Sequence, residues 1–243
     1  MKFNFFKRKE KDNTPKTLFQ KLKSWVLKII KWFFILSIGS VIFFRFIPVP
    51  CTPLMFSRAF DNMIAGEDII WSHDWVAIEN ISPNLQKAVI ASEDNLFLTH
   101  NGFDVDAIKK AIKTNKKGKR IVGGSTISQQ TAKNVFLWQG RSFIRKGFEA
   151  YFTVLIEIFW SKERIMEVYL NSIEMGKGVY GAQAAAKHWY GKSAANLTKN
   201  EAAGIAAILP NPRKYKASNS SAYINRRKAK IQKLMYYVGP LKY

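Results

Sequence analysis

The longest apolar stretch of the chain runs from Trp25 to Ile47 and carries charge only towards its ends. Lys28 and Lys31 lie near one end and Arg45 near the other, from where long basic side chains can reach the membrane interfaces. About 20 apolar residues in a helix span a bilayer, so this pattern predicts a transmembrane helix. A cleaved signal peptide is disfavoured because no small-residue cleavage site follows, and a surface helix because the stretch has no polar face.

After the proline-rich linker 48–53, apolar residues recur at helical spacing, and polar or glycine residues mark where the segments begin and end. The predicted helices are an amphipathic segment at 54–65 next to the membrane, a helix begun by Ser82-Pro83, one at 107–114 capped by Asp104 or Asp106, segments 126–138 and 145–160, 162–171 capped by Ser161, 181–190 stopped at Gly191, and one opened by a capping box at Thr198–Glu201 and ended by Pro210. Strand signals are weak, so the pattern predicts a mainly α fold.

Composition indicates a folded chain with an anionic partner. Of its 243 residues 47% are hydrophobic, which suffices for a core and excludes wholesale disorder. Lys and Arg number 39 against 17 Asp and Glu, and the net charge of +22 predicts nucleic acid, anionic lipid or a phosphorylated substrate as partner. The single cysteine, Cys51, excludes an intrachain disulfide, and three histidines far apart in the sequence argue against a zinc cluster.

Charge also orients the predicted membrane helix. Residues 1–24 hold eight basic and two acidic residues, and basic flanks stay on the cytoplasmic side. Residues 48–243 are therefore predicted to lie outside the cytoplasm, away from genomic nucleic acid. Segment 114–124, rich in Lys and Gly, is our candidate for a loop that becomes ordered with substrate. Segment 213–243 has nine basic residues and no acid, and is either a solvated basic helix or a contact with anionic lipid headgroups.

Three segments combine groups that can carry chemistry. In the first, Glu93 and Asp94 follow the apolar residues 89–91. A carboxyl group packed against apolar side chains tends towards a raised pKa, which a general base or acid near neutral pH requires. Capping of a helix by Asp94, or an ordinary solvated pair of carboxylates, is the alternative that the sequence leaves open.

The other two segments offer positive charge and anion-binding backbone. A Gly123-Gly124 turn before a helix can cradle an anion through its N–H groups, and Lys133 adds a charge further along. An ordinary capped helix is the alternative. Arg145 and Glu149 are four residues apart and so share a helix face. They form either a surface ion pair or a phosphate-binding fork beside a second carboxylate.

These segments, in this order, resemble the motifs of the peptidoglycan glycosyltransferases, glycosyltransferase family 51. The strings that carry the resemblance are Glu93-Asp94-x-x-Phe97-x-x-His100-x-Gly102, Gly123-Gly124-Ser125-Thr126-Ile127-x-Gln129-Gln130, the segment from Arg141 to Glu149, and further matches in 162–171, 181–192 and 206–212. With one anchor and no transpeptidase domain, the chain is similar to the monofunctional biosynthetic transglycosylases of Gram-negative bacteria. Ser128, where Thr is commoner, and Thr131-Ala132, where Leu often follows the paired Gln, depart from the pattern.

The resemblance implies a lysozyme-like fold, with a large helical lobe, a small membrane-proximal lobe and a cleft between them. The expected domains are a cytoplasmic basic tail (1–24), a transmembrane signal anchor (25–47), a linker and membrane-proximal segment (48–69) and a glycosyltransferase domain (70–243). The implied location is the bacterial inner membrane, single-pass, with the catalytic domain in the periplasm. Expected partners are lipid II, the growing glycan chain, inner-membrane lipids and other cell-wall synthesis proteins, and not nucleic acid.

The implied reaction is polymerisation of lipid II with inversion and release of undecaprenyl diphosphate. By resemblance, Glu93 is the general base on the acceptor's 4-hydroxyl, and Glu149 assists at the leaving diphosphate. The implied substrate-binding residues are Asp94, Phe97, His100, Ser125, Thr126, Gln130, Lys133, Asn134, Arg145 and Lys146. No tightly bound cofactor and no metal-binding residues are expected, although a divalent cation, Mg²⁺ or Mn²⁺, can accompany the diphosphate.

Two other functions stay open on the sequence alone. A lytic enzyme that cleaves glycan also uses a Glu in a lysozyme-like cleft, but it has no need of the cations Lys133, Arg145 and Lys146. A non-catalytic, membrane-anchored scaffold would bind anionic lipid or polymer through its charge. Its binding would collapse as ionic strength rises and would not depend on Glu93.

Overall fold

The computed structural model describes residues 17–116, 118, 123–140 and 142–243. Its elements are α1 (Leu18–Phe46), α2 (Pro53–Ile64), β1 (Ser72–His73), α3 (Pro83–Glu93), α4 (Val105–Lys116), α5 (Ile127–Phe136), α6 (Phe143–Phe159), α7 (Lys162–Ser172), β2 (Glu174–Gly176), β3 (Val179–Tyr180), α8 (Ala182–Tyr190), α9 (Lys199–Ile208) and α10 (Ala222–Leu234), with short 3-10 turns at Ile78–Asn80 and Ala194–Asn196. The mainly α prediction is confirmed. Two compact units divide the chain, one ending at Ser40 and the other beginning at Val41.

The described part of the first unit is the greater part of α1. Its large apolar side chains are mostly exposed, among them Trp25, Phe34 and Leu36. With 29 residues and a mean hydropathy of 2.0 over its most apolar window, α1 is long and apolar enough to cross a membrane. The helix begins at Leu18, earlier than the expected anchor at 25–47, so its first turns lie in the segment expected to be a basic tail. The rest of that tail lies outside the described residues.

Local capping explains where the helices of the second unit begin. The Ser82 hydroxyl accepts a hydrogen bond from the Asn84 N–H at the start of α3, and Ser161 caps α7 in the same way. Thr198 and Glu201 form the expected capping box at α9. For α4 the structure decides between the two predicted caps, because Asp104 Oδ1 accepts from the Ala107 N–H at 2.8 Å.

A small three-stranded sheet is the element that the sequence pattern did not predict. The strand order is β1-β3-β2, with β1 parallel to β3 and β2 antiparallel to it. Gly178, in the turn before β3, has φ +70°, and a Cβ there would lie 2.3 Å from the Ile70 carbonyl oxygen. Only glycine fits this turn, which brings the segment before β1 against the β2–β3 hairpin.

The core of the second unit is built around α9. Its residues from Ala202 to Ile208 are buried, and the small alanine side chains allow α3 and α10 to pack closely on either side of it. Ile224 and Ile231 of α10 are buried in this packing. The basic segment 213–243 therefore contributes to the core, and contact of its charged face with lipid stays a prediction. The packing also fixes the carboxyl end of α3, where Glu93 lies.

Helix α2 is amphipathic, as predicted. Leu54 and Met55 are buried, and four large apolar side chains on the other face are exposed: Phe56, Phe60, Met63 and Ile64. Of the segment expected to be a loop, 114–124, residues 114–116 instead form the last turn of α4, and residues 117 and 119–122 lie outside the described residues.

Candidate active site

Glu93 is the last residue of α3 and is partly exposed. Gln130 Nε2 donates to Glu93 Oε2 at 3.3 Å, and the Tyr169 hydroxyl in turn donates to Gln130 Oε1 at 3.3 Å. Burial raises the pKa of the Glu93 carboxyl, while the Gln130 hydrogen bond and the positive charge of Arg227 on α10 oppose the rise and the nearby charge of Asp94 adds to it. A carboxylate with a raised pKa is a stronger base, as the prediction for Glu93 requires.

The neighbouring Asp94 is buried, and its hydrogen bonds connect the end of α3 with His100 and with the start of α5. Its carboxylate accepts from the His100 ring Nε2 at 2.9 Å and from the Ile127 N–H, the first residue of α5, at 2.9 Å. His100 Nδ1 accepts from the Gly102 N–H at 3.0 Å, so a neutral ring carries its proton on Nε2. Asp94 thus accepts from the first N–H of α5, a helix whose N-cap residue is Thr126.

Phe97 and Thr126 pack in the same region as Asp94 and His100, and we call these four residues the supporting wall of Glu93. Phe97 is fully buried, and the Lys162 ammonium lies 4.8 Å from the centre of its ring. The Thr126 hydroxyl donates to the Gly102 carbonyl oxygen at 2.6 Å, and with Gln129 it forms a capping box on α5. The structure thus gives four of the predicted substrate-binding residues protein partners: Asp94, Phe97, His100 and Thr126. Their direct contact with substrate stays a prediction.

A cluster of three cations and one carboxylate lies along α5 and α6. Arg145 Nη1 donates to Glu149 Oε2 at 2.7 Å, and Lys146 Nζ donates to the other oxygen of the same carboxylate. Arg145 and Glu149 are buried, whereas Lys146 is half exposed and also donates to the Ser125 hydroxyl at 3.4 Å. Burial lowers the pKa of Lys133, and the charge of Glu149 opposes that change. The surface-pair alternative for Arg145 and Glu149 is therefore wrong, because both side chains are buried.

Lys133 lines a cavity of about 210 Å³ together with Gln130 and the predicted residue Asn134. Gln130 and Lys133 are three residues apart on α5, so they lie about one turn from each other on neighbouring positions of one face. One turn of helix thus connects the partner of Glu93 with the cations around Glu149. The positive charge of Arg145 acts on Lys133, and the buried Arg145 Nε has no hydrogen-bond partner within the described residues.

Two residues of this cavity were missed by the sequence reasoning. Tyr169 lies in the matched segment 162–171, for which no role was predicted. Its burial raises the pKa of its hydroxyl well above the usual range and keeps it a neutral donor to Gln130. Arg58 comes from α2 and faces Glu174, with Nε and Oε2 3.3 Å apart. A lone arginine inside the apolar segment 54–65 is the signal that could have found it.

Comparison with known proteins identifies the family of this chain. A family model described as transglycosylase matches residues 66–236. The chain belongs to the transglycosylase family. It is 54% identical to a relative from Bacteroides thetaiotaomicron over 90% of this chain and 88% of that protein, and 53% identical to one from Bdellovibrio bacteriovorus over 87% and 85%. A relative from Shewanella oneidensis is 51% identical over 89% and 92%. All three carry the name biosynthetic peptidoglycan transglycosylase.

Family membership and the named relatives identify the chain as a peptidoglycan glycosyltransferase. The mostly helical second unit agrees with the lysozyme-like architecture expected of this family. The comparisons do not support the scaffold and lytic alternatives. The roles of individual residues rest on the geometry described above and on the resemblance of the motifs.

Proposed function

We propose that this glycosyltransferase polymerises lipid II into glycan strands, with Glu93 as the general base. The observation that carries the proposal is the arrangement on α5, where Gln130 bonds to Glu93 and Lys133 lies one turn on, beside Arg145, Lys146 and Glu149. A basic carboxylate and a cluster of cations are the two requirements of a sugar transfer with a diphosphate leaving group. Gln130 and Lys133, on neighbouring turns of α5, connect the carboxylate at the end of α3 with the cations of α6.

In the proposed step, the 4-hydroxyl of the acceptor GlcNAc attacks the anomeric carbon of the donor MurNAc. Glu93 takes the hydroxyl proton as the new C–O bond forms, and the bond to the diphosphate oxygen breaks with its electron pair remaining on the diphosphate. Attack opposite the leaving group inverts the anomeric configuration from α to β. The partly shielded environment that raises the pKa of Glu93 makes its carboxylate a better proton acceptor at neutral pH.

Charge develops on the diphosphate as it leaves, and the cluster is suited to stabilise it. Lys133, Arg145 and Lys146 supply the positive charge that a diphosphate requires. Both oxygens of Glu149 bind Arg145 and Lys146, so we assign Glu149 to holding these cations in place at the diphosphate. Ser125 and Asn134 would line the same region.

A divalent cation stays an expectation at this site. Within the part of the chain that the structure describes, no group of three His, Cys, Asp or Glu side chains is placed to hold a metal ion. Because the Glu149 oxygens already accept from cationic side chains, Mg²⁺ or Mn²⁺ would arrive on the substrate's diphosphate.

The membrane arrangement follows from the substrate, whose lipid tail stays in the bilayer. Helix α1 anchors the chain, and the exposed apolar face of α2 would meet the lipid phase beside the active site. We propose an N-terminus in the cytoplasm and a catalytic domain in the periplasm, because of the basic residues that precede the apolar stretch. Lipid II, the glycan product and membrane lipids are the proposed partners, with other cell-wall synthesis proteins as further candidates.

The experiment compares glycan-strand formation from purified lipid II in detergent by the full chain and by Glu93→Gln. We expect polymer from the wild type and none from the variant, with unchanged circular dichroism. Lys133→Ala should raise the KM for the donor and leave membrane insertion unaffected. Full activity in Glu93→Gln would reject its role as base. No polymer from a folded wild type, with or without a divalent cation, would reject the proposed function and favour a scaffold.

A further inference from the structure

The last turns of α1 belong to the second unit, and side chains near the start and end of two other helices hold them there. Trp160, directly after α6, donates from Nε1 to the Val41 carbonyl oxygen at 2.7 Å. Arg164 of α7 donates from Nε and Nη2 to the Phe44 carbonyl oxygen at 3.1 and 2.9 Å, and from Nη2 to that of Ile47 at 2.6 Å. The last carbonyl groups of a helix have no partner within it, so Arg164 caps α1 from a distant part of the sequence.

Arg164 is itself held in place by its neighbours. Its Nη1 donates to Glu167 Oε1 at 2.5 Å, within the same helix, and its guanidinium lies 5.3 Å from the centre of the Trp75 ring. The side chains of Arg164 and Glu167 are 13% and 15% exposed. A planar guanidinium that an ion pair and an aromatic ring already orient loses little further freedom when it binds carbonyl groups. The end of α1 is therefore held at a defined place on the second unit.

Phe44 connects this end of α1 with α5 and α6. Its ring centre lies 6.3 Å from that of Phe136, the last residue of α5. Phe136 in turn stacks on Phe152 of α6, with ring centres 4.7 Å apart and planes 2° from parallel, and lies 6.1 Å from the Trp160 ring. We call these four residues the aromatic cluster. Phe152 and Trp160 are buried, and Phe44 and Phe136 are partly buried, so three helices meet in one packed contact.

The aromatic cluster lies close to the cations of the candidate active site. Lys133 precedes Phe136 by three residues on α5, and Glu149 precedes Phe152 by three residues on α6. Residues three apart on a helix are neighbours on one face. The stacked pair is thus one helical turn from Lys133 on one helix and one turn from Glu149 on the other. Because packed interiors transmit displacements, the contact that fixes the stack also fixes these two charged groups relative to each other.

We propose that the end of α1 positions the donor site. Arg164 and Trp160 fix Phe44 against the aromatic cluster, and the cluster sets the spacing between Lys133 and Glu149. This inference rests on the proposed function, because it gives the cations around Glu149 the role of binding the donor's diphosphate. Arg164, Trp160 and Phe44 are positioning residues in this scheme and act only through α5 and α6. The affinity for a lipid diphosphate then depends on a contact that the membrane helix makes.

The test measures binding of farnesyl diphosphate, a lipid diphosphate without a sugar, to the full chain in detergent by calorimetry. The temperature is one at which circular dichroism shows every variant to be folded. We expect Phe44→Ala to raise the Kd roughly three- to tenfold, because the stack loses its contact with α1. Arg164→Lys keeps a positive charge beside Glu167 but loses the planar fork, and should raise the Kd by a similar factor. The double variant should not exceed the larger single effect, because both changes act through the same contact.

Two matched controls should leave the Kd unchanged. Ile42→Ala shortens an exposed side chain of the same helix, and Ile231→Val removes buried packing in α10, away from the aromatic cluster. An unchanged Kd in Phe44→Ala, or an equal rise in either control, would overturn the inference. Single effects that multiply in the double variant would also overturn it. Binding that Lys133→Ala does not weaken would instead reject the donor site of the proposed function, a result distinct from these.

Discussion

Replacement of Glu149 by Gln tests how the cation cluster is held together. Glu149 is 3% exposed and Arg145 is 11% exposed, so their 2.7 Å contact is a buried ion pair. Removal of one partner from a buried pair costs about 3–5 kcal/mol of unfolding free energy. Gln keeps an oxygen that can accept from Arg145, which reduces this loss. The ion pair with half-exposed Lys146 contributes little to the unfolding free energy because solvent screens it. We therefore expect a loss of about 2–4 kcal/mol for this substitution.

The measurement is thermal unfolding of the full chain in detergent, followed by circular dichroism. For a domain of this size the loss corresponds to a midpoint lowered by roughly 5–15 °C. Asp68→Asn removes an exposed carboxylate and should leave the midpoint within about 2 °C of the wild type. The double variant Glu149→Gln/Arg145→Met should recover at least half of the loss, because it removes the buried Arg145 charge that Glu149→Gln leaves without its ion-pair partner. A wild-type midpoint for Glu149→Gln, or simple additivity in the double variant, would refute the reasoning.

Two further predictions concern the base and its support. Gln130→Ala removes the hydrogen bond that favours ionised Glu93, so the pKa of Glu93 rises and the acidic limb of the kcat/KM profile should move to higher pH. Gln139→Ala, in the same cavity, should leave that limb in place, and a shift to lower pH in Gln130→Ala would contradict the assignment. Gly102→Ala should cost about 2–3 kcal/mol in chemical unfolding, because φ is +86° and a Cβ would lie 2.8 Å from a neighbouring methyl group. Gly123→Ala, with no atom within 4 Å, is its control, and equal stability of the two variants would disprove this account.

The helices could be predicted because their signals are local. Ser82, Ser161 and Thr198 each precede a segment in which apolar residues recur at helical spacing. Gly191, with φ +66°, ends α8. A capping side chain acts within one turn, so neighbouring residues contain all the information that places it. The amphipathic pattern of α2 was readable for the same reason.

The sheet and the supporting wall could not be predicted from local pattern. Strand β1 has two residues and pairs in parallel with β3, where Ser72 lies opposite Val179, far away in the sequence. Two residues are too few for an alternating pattern to appear. The carboxylates Glu93 and Asp94 are adjacent and chemically alike, and only the packing shows that Asp94 is enclosed by His100 and the start of α5.

The cation cluster also has a consequence for turnover. Three cations surround the single carboxylate of Glu149, so the empty cluster keeps an excess of two positive charges. Under the proposed roles, the charges that draw in the donor equally retain the departing lipid diphosphate, whose residence time then limits the cycle. We expect the lipid diphosphate product to inhibit competitively with the donor, and added salt to shorten its residence. The enzyme would then gain speed from any downstream reaction that removes the carrier lipid from the membrane.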